Sequence, residues 1–295
     1  MKNKNYEFID NLKRVNEIVS QVLYNQKIIS IDCEGIKLSK TGSLTLIQIG
    51  LYNKQGYLFD VKILSKSLFE GRNSLKTILE NEKILKILHG CRNDYESLYY
   101  QYKIKLNNFI DTQEMNFIYE GIKYNSFYRI SLKELIKKIL NVDLSLKDKV
   151  HNIMNNNFLI WDERPIKNEY LEYSYEDIKY LIDLYYELKK LLNDNEYYIS
   201  KKLTIFQFTN RKLYYDFKNF IRNMVIKNKN NKYENIRNID FYNLYFSNDE
   251  KKIEKKNIKK ELIKKNNNKN IIIFIFISFN IFLIMLLKII TIFDW

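Results

Sequence analysis

An apolar run that ends in two acids constrains this chain more than any other stretch. Ile28-Ile-Ser-Ile-Asp-Cys-Glu-Gly35 suits a buried strand up to Ile31 and then presents Asp32 and Glu34 one residue apart. Side chains alternate across a strand, so the two carboxylates leave one face and converge on one point. Cys33 then goes to the opposite face, toward the core. Like charges held that close are costly to bury unless a cation lies between them. Alone, Asp-x-Glu is also the ordinary solvated end of a strand, so its meaning rests on the remainder of the chain.

A length of 295 residues allows one substantial domain with appendages. The core supply is ample but skewed: hydrophobic residues make up 46%, Pro occurs once, Gly seven times, and Ala not at all. Signals that depend on Ala, Gly or Pro are therefore muted. With only Cys33 and Cys91, a disulfide scaffold is excluded and a reducing compartment is expected. His89 and His151 are too few for a Cys/His zinc site, so a metal would be held by carboxylates, which suits Mg²⁺ or Mn²⁺. The net charge of +14 invites a nucleic-acid or membrane partner, yet nine Lys against Glu254 and Glu261 place half of it in residues 251–269.

Residues 1–24 carry apolar spacing at three and four and read as a helical lead-in without a signal or transit peptide. Lys27–Asp32, Leu44–Gly50 and Gly56–Asp60 read as strands of an antiparallel meander. Helical patterns over Leu64–Leu79 and Asp94–Tyr102 then alternate with strand candidates Lys83–Leu88 and Asn108–Asp111, which implies a mixed sheet. Ser131 with Glu134 forms a capping box, and Pro165 suits the first turn of a long helix ending near Leu192. Residues 196–250 are expected to be a helical extension of unknown role, and 251–270 a Lys/Asn-rich linker. Residues 271–293 are almost uncharged and read as a transmembrane tail anchor, with the folded part on the cytosolic side of an unidentified membrane.

Four short pieces are spaced so that a sheet would gather them: Asp32-Cys-Glu34; Leu88-His-Gly-Cys-Arg-Asn-Asp94; Asp111-Thr-Gln113; and Tyr173-Ser-Tyr-Glu-Asp177. The last pair lies four apart and shares a helix face. In this order, with Gly42-Ser-Leu-Thr-Leu-Ile-Gln48 and Trp161-Asp-Glu-Arg-Pro165, they resemble the 3′-5′ exonuclease domains of the DEDD superfamily, in its tyrosine subclass and the ribonuclease D and Egalitarian-like branch. The similarity covers residues 25–195.

The resemblance implies a ribonuclease H-like α/β fold, with a mixed five-stranded sheet flanked by helices. It implies Asp32, Glu34, Asp94 and Asp177 as ligands of two Mg²⁺ or Mn²⁺ ions, with Tyr173 orienting the attacking water. His89 and Asp111 are candidates to support the site from behind, and Arg92 and Arg164 either meet phosphates or pair with acids. The expected activity is release of nucleoside monophosphates from a single-stranded 3′ end, with RNA slightly favoured over DNA. Two other readings of the same fold are a catalytically silent RNA-binding adaptor and a membrane-tethered module that recruits a protein partner.

Overall fold

A computed structural model describes residues 4–144 and 146–227. The chain opens on strand β1 (Tyr6–Ile9) and helix α1 (Leu12–Gln21), whose N-terminus is closed by the Asn11 side chain accepting from the Arg14 amide. Strands β2 (Ile28–Gly35), β3 (Leu44–Gly50) and β4 (Gly56–Asp60) follow. Both β2 and β4 pair antiparallel with β3, which is the expected meander.

Helices α2 (Val61–Leu64) and α3 (Leu75–Leu79) replace the single helix expected over 64–79. Positive φ angles at Ser65 and Gly71 break it. Next come β5 (Leu85–Leu88), α4 (Arg92–Tyr102), β6 (Phe109–Asp111) and α5 (Thr112–Tyr124). Strand β5 pairs parallel with β2, and β6 parallel with β5. The sheet order is β1-β4-β3-β2-β5-β6.

The sheet therefore has six strands where five were expected. The sixth is β1, at the start of the segment read as a helical lead-in, and it runs parallel to β4. Ile9 at its end is fully buried, and fixing such a side chain in the core contributes roughly 1.5–3 kcal/mol. The helical spacing belongs only to α1.

Helix α6 (Leu132–Leu140) begins with the expected capping box: Ser131 bonds the Glu134 amide and Glu134 reaches back to Ser131. Helices α7 (Leu146–Asn156), α8 (Asn168–Lys179) and α9 (Leu181–Leu191) follow. The long helix expected from Pro165 to Leu192 is thus two. It starts beyond the cis Arg164–Pro165 bond and is interrupted at Tyr180, where φ is −111° and ψ −2°. Helix α10 (Asp194–Thr209) packs on α5 and β6, and α11 (Arg211–Lys227) packs on α10 and α5.

Alternation along the strands fills both faces of the sheet. Ile29, Ile31, Ile47, Ile49 and Phe59 join α1 and α3 on one side, with Cys33 among them. Leu46 and Leu58 meet Trp161, Tyr170 and Ile178 on the other. Helix α8 lies across β2, β3 and β4 on this second side.

The expectation of a tail anchor holding the domain at a membrane needs correction. Among the described residues no helix is long and apolar enough to cross a membrane, and residues 271–293 lie outside them, as does the linker 251–270. The anchored, cytosol-facing location has no support in the described structure.

Candidate active site

In the antiparallel register Asp32 sits opposite Gln48 and Glu34 opposite Leu46, so both acids leave the face that α8 covers. The pairing slips between Glu34 and Gly35, and there the strand opens into a cavity of about 460 Å³. Helix α8 brings Asp177 to the same place. Its closeness is set by a tight contact: the Ser30 hydroxyl donates to the Ile178 carbonyl at 2.8 Å. A Cβ on Gly50 would lie 2.3 Å from that Ser30 oxygen and 3.0 Å from the Ile178 carbonyl, so only glycine permits the approach. The result is a ring in which carboxylate oxygens of Asp32, Glu34 and Asp177 all lie within 4.8 Å of one another.

Asp94 lines the cavity beside this ring, in the first turn of α4. What aims that turn is Asp111 at the end of β6. Its fully buried carboxylate accepts from the Gly90 amide at 2.8 Å, the Cys91 amide at 3.1 Å and the Gln113 amide at 2.8 Å. Gly90 has a φ of +62°, which an L side chain adopts only with strain. His89 lines the cavity wall, and its ring is anchored on both sides: Nε2 lies 3.1 Å from the Ile130 carbonyl and Nδ1 2.9 Å from the Thr112 hydroxyl. A carbonyl only accepts, so Nε2 donates to Ile130, while the Thr112 hydroxyl beside Nδ1 itself donates to the Leu88 carbonyl at 3.0 Å. Burial, above all, pulls the His89 pKa down.

Tyr173 stands one turn before Asp177 on the same face of α8 and is 7% exposed, with its ring 6.0 Å from that of Trp161. Burial, then the charges of Glu34 and Asp32, push its hydroxyl pKa well up, so it stays protonated. Burial likewise raises the carboxyls: Asp32 to about 6, against the downward pull of Lys147, and Glu34 and Asp94 well above the usual range, these two also pushed up by their acidic neighbours.

One participant was not foreseen. Lys147 of α7 ion-pairs with Asp177 Oδ1, and its Nζ lies 4.7 Å from the centre of the Tyr173 ring. Helix α7 also lines the cavity with His151 and Met154. In a chain this rich in lysine nothing in the sequence distinguishes position 147.

The donor set fits a divalent cation. Asp177 Oδ2 is buried and has no hydrogen-bond partner. An orphaned carboxylate oxygen inside a ring of acids is what a hard, oxygen-seeking ion would satisfy.

The two arginines part company. Arg164 grips the fully buried Asp60 through Nε at 2.6 Å and Nη2 at 2.7 Å, and also donates to the Trp161, Glu163 and Thr45 carbonyls. Of the two roles open to it, it takes the ion pair, tying the 161–165 turn to β4. Arg92 pairs with Glu96 at 3.2 Å and lines a neighbouring cavity.

Comparison with known proteins places residues 6–193 under the family model described as 3′-5′ exonuclease. The piRNA biogenesis protein EXD1 of Xenopus laevis is 30% identical over 185 residues, 61% of this chain and 41% of that one. Its Homo sapiens counterpart is 31% identical over 165 residues, 54% of this chain and 32% of that one. This chain therefore spans less than half the length of these relatives. Among solved structures, Trypanosoma brucei RNase D in complex with GMP aligns with a TM-score of 0.57 at 24% identity, covering 62% of this chain and 56% of that one. That likeness concerns the fold.

Proposed function

The chain belongs to the 3′-5′ exonuclease family, and from that footing we propose that it hydrolyses single-stranded nucleic acid from the 3′ end, releasing nucleoside monophosphates. The observation that carries this reading is the ring of Asp32, Glu34 and Asp177, with Asp94 and Tyr173 on the same cavity. Asp32, Glu34, Asp94 and Asp177 would hold two divalent ions, Mg²⁺ or Mn²⁺. Bound there, such ions supply the positive charge that makes water a better nucleophile and stabilises the leaving 3′ oxygen.

The chain's own residues do the remaining work. Tyr173, kept protonated, offers a fixed hydroxyl to orient the attacking water. Trp161 and Met154 contribute apolar surface to the cavity wall beside the carboxylates. Asp111 fixes the Gly90–Cys91 turn that leads into Asp94, and His89 is itself held between Ile130 and Thr112 on the cavity wall. RNA is the favoured substrate, since the relatives include proteins named for piRNA biogenesis and a ribonuclease D.

One observation favours a second reading. Lys147 neutralises Asp177 from within the ring, as a cation would, so the fold is compatible with a silent RNA-binding adaptor. Incubating the full chain with a 5′-labelled single-stranded RNA and Mn²⁺ separates the two. A ladder shortened from the 3′ end, with free nucleoside monophosphates, is expected; RNA that is bound but stays full length favours the adaptor.

A further inference from the structure

Beside the catalytic cavity lies a second one of about 700 Å³, between α4 and α10, that the proposed hydrolysis does not use. Aromatic rings form one wall. Tyr95 stacks on Phe208 with centroids 4.1 Å apart and planes 22° apart, and Tyr99 lies nearly parallel to Tyr95 at 6.1 Å and 13°. Tyr100, 44% exposed, stands edge-on to Tyr99, and the Lys40 ammonium lies 4.5 Å from its ring centre. The rim carries Lys40, Arg92, Lys105 and Arg211 against the single acid Glu96.

The two cavities share their walls. Asn93 and Asp94 of α4 line the catalytic one, and Arg92, Tyr95 and Glu96 line this one. The β2–β3 loop does the same, with Lys37 and Leu38 on one side and Lys40 on the other. A strand whose 3′ end enters the carboxylate ring therefore finds ring faces and positive charge immediately upstream.

We propose that this cavity is a stacking platform for the upstream nucleotides of a single strand, with Tyr99 and Tyr100 against bases and Lys40 and Arg211 against phosphates. The inference rests on the nucleic-acid reading of the adjacent site. Rings flanked by cations suit this occupant because every base presents a π-face and every linkage a negative charge, so the grip is tolerant of sequence. An apolar or acidic protein surface would use the charge or the rings, but not both in alternation.

The test is equilibrium binding of the full chain, without divalent ions, to a 12-nucleotide fluorescent RNA and to a fluorescent dinucleotide. Tyr99→Ala/Tyr100→Ala is expected to weaken 12-mer binding about tenfold or more, from about 1–3 kcal/mol per stacked base, and dinucleotide binding less than twofold. Lys40→Ala/Arg211→Ala alters two exposed side chains that do not fill the core, and is expected to flatten the salt dependence of 12-mer binding by about 1.4 in log–log slope. Tyr52→Ala, on an exposed turn elsewhere, serves as the control with no change. Unchanged 12-mer affinity in both variants, an equal loss on both ligands, or no binding of the 12-mer by the parent chain overturns the proposal. Absence of hydrolysis would sink the catalytic reading and leave these affinities standing.

Discussion

Lys147 of α7 reaches across to Asp177 of α8 and pairs with it inside the carboxylate ring, the two side chains being only 12% and 7% exposed. The lysine balances charge that would otherwise repel, and it holds an oxygen that a divalent ion also needs. The two cations compete for Asp177. A unit charge at about 4 Å in surroundings of intermediate polarity is worth up to about 4 kcal/mol. Lys147→Met should therefore bind Mn²⁺ about tenfold more tightly by calorimetry. Its metal-free form should melt lower, because removing one partner of a buried pair costs about 3–5 kcal/mol. Unaltered Mn²⁺ affinity would mean that the lysine does not compete.

Asp111 aims the turn that leads into Asp94 without belonging to the ring. Asp111→Ala leaves the Gly90, Cys91 and Gln113 amides without their acceptor, at a cost on the order of 3 kcal/mol. Urea unfolding should show that loss. Asp111→Asn keeps one oxygen and should fall between the two, with kcat declining in the same order.

Arg164 and Asp60 are joined through two parallel bonds, which a lysine cannot reproduce. Arg164→Ala should destabilise by about 3–5 kcal/mol, and Arg164→Lys should recover only part of it. If thermal melting finds the lysine variant as stable as the parent, the forked geometry does not matter.

Lys86 supplies a pH dependence remote from the ring. Its side chain is buried in β5, with Nζ donating to the Asn81 and Ile84 carbonyls at 2.5 and 2.9 Å. Burial pulls its pKa down to about 7, against about 10.4 in an unfolded chain. Between those values the unfolded chain binds more protons, so stability rises with pH. Below pH 7 the full cost of the buried ammonium is carried. Lys86→Met lacks this step. From pH 7 to 10 the parent's Tm should gain on the variant's by about 3 °C or more; a constant difference would contradict the shift.

The readable parts of the fold were those decided locally. Period-two alternation was enough to put Asp32 and Glu34 on one face and Cys33 on the other, and Ser131 with Glu134 marked a helix start by direct bonding over three residues. Strand β1 was hidden because Phe8 and Ile9 continue the spacing of α1, and its partner β4 lies some fifty residues on. The break at Tyr180 leaves no trace in a chain with so few glycines and prolines. Lys147 matters only through where α7 comes to rest, which no local pattern encodes. The Tyr95–Phe208 stack likewise joins helices more than a hundred residues apart.

The sharpest test of one hydrolytic centre built from Asp32, Glu34, Asp94, Asp177 and Tyr173 is the rate at which a 3′ end is shortened in Mn²⁺ by the parent, Asp32→Asn and Tyr173→Phe. Removing a group that acts only at the transition state should cut the rate by about 10²-fold or more, with both variants melting as cooperatively as the parent. Shortening at the parental rate by both variants would contradict it.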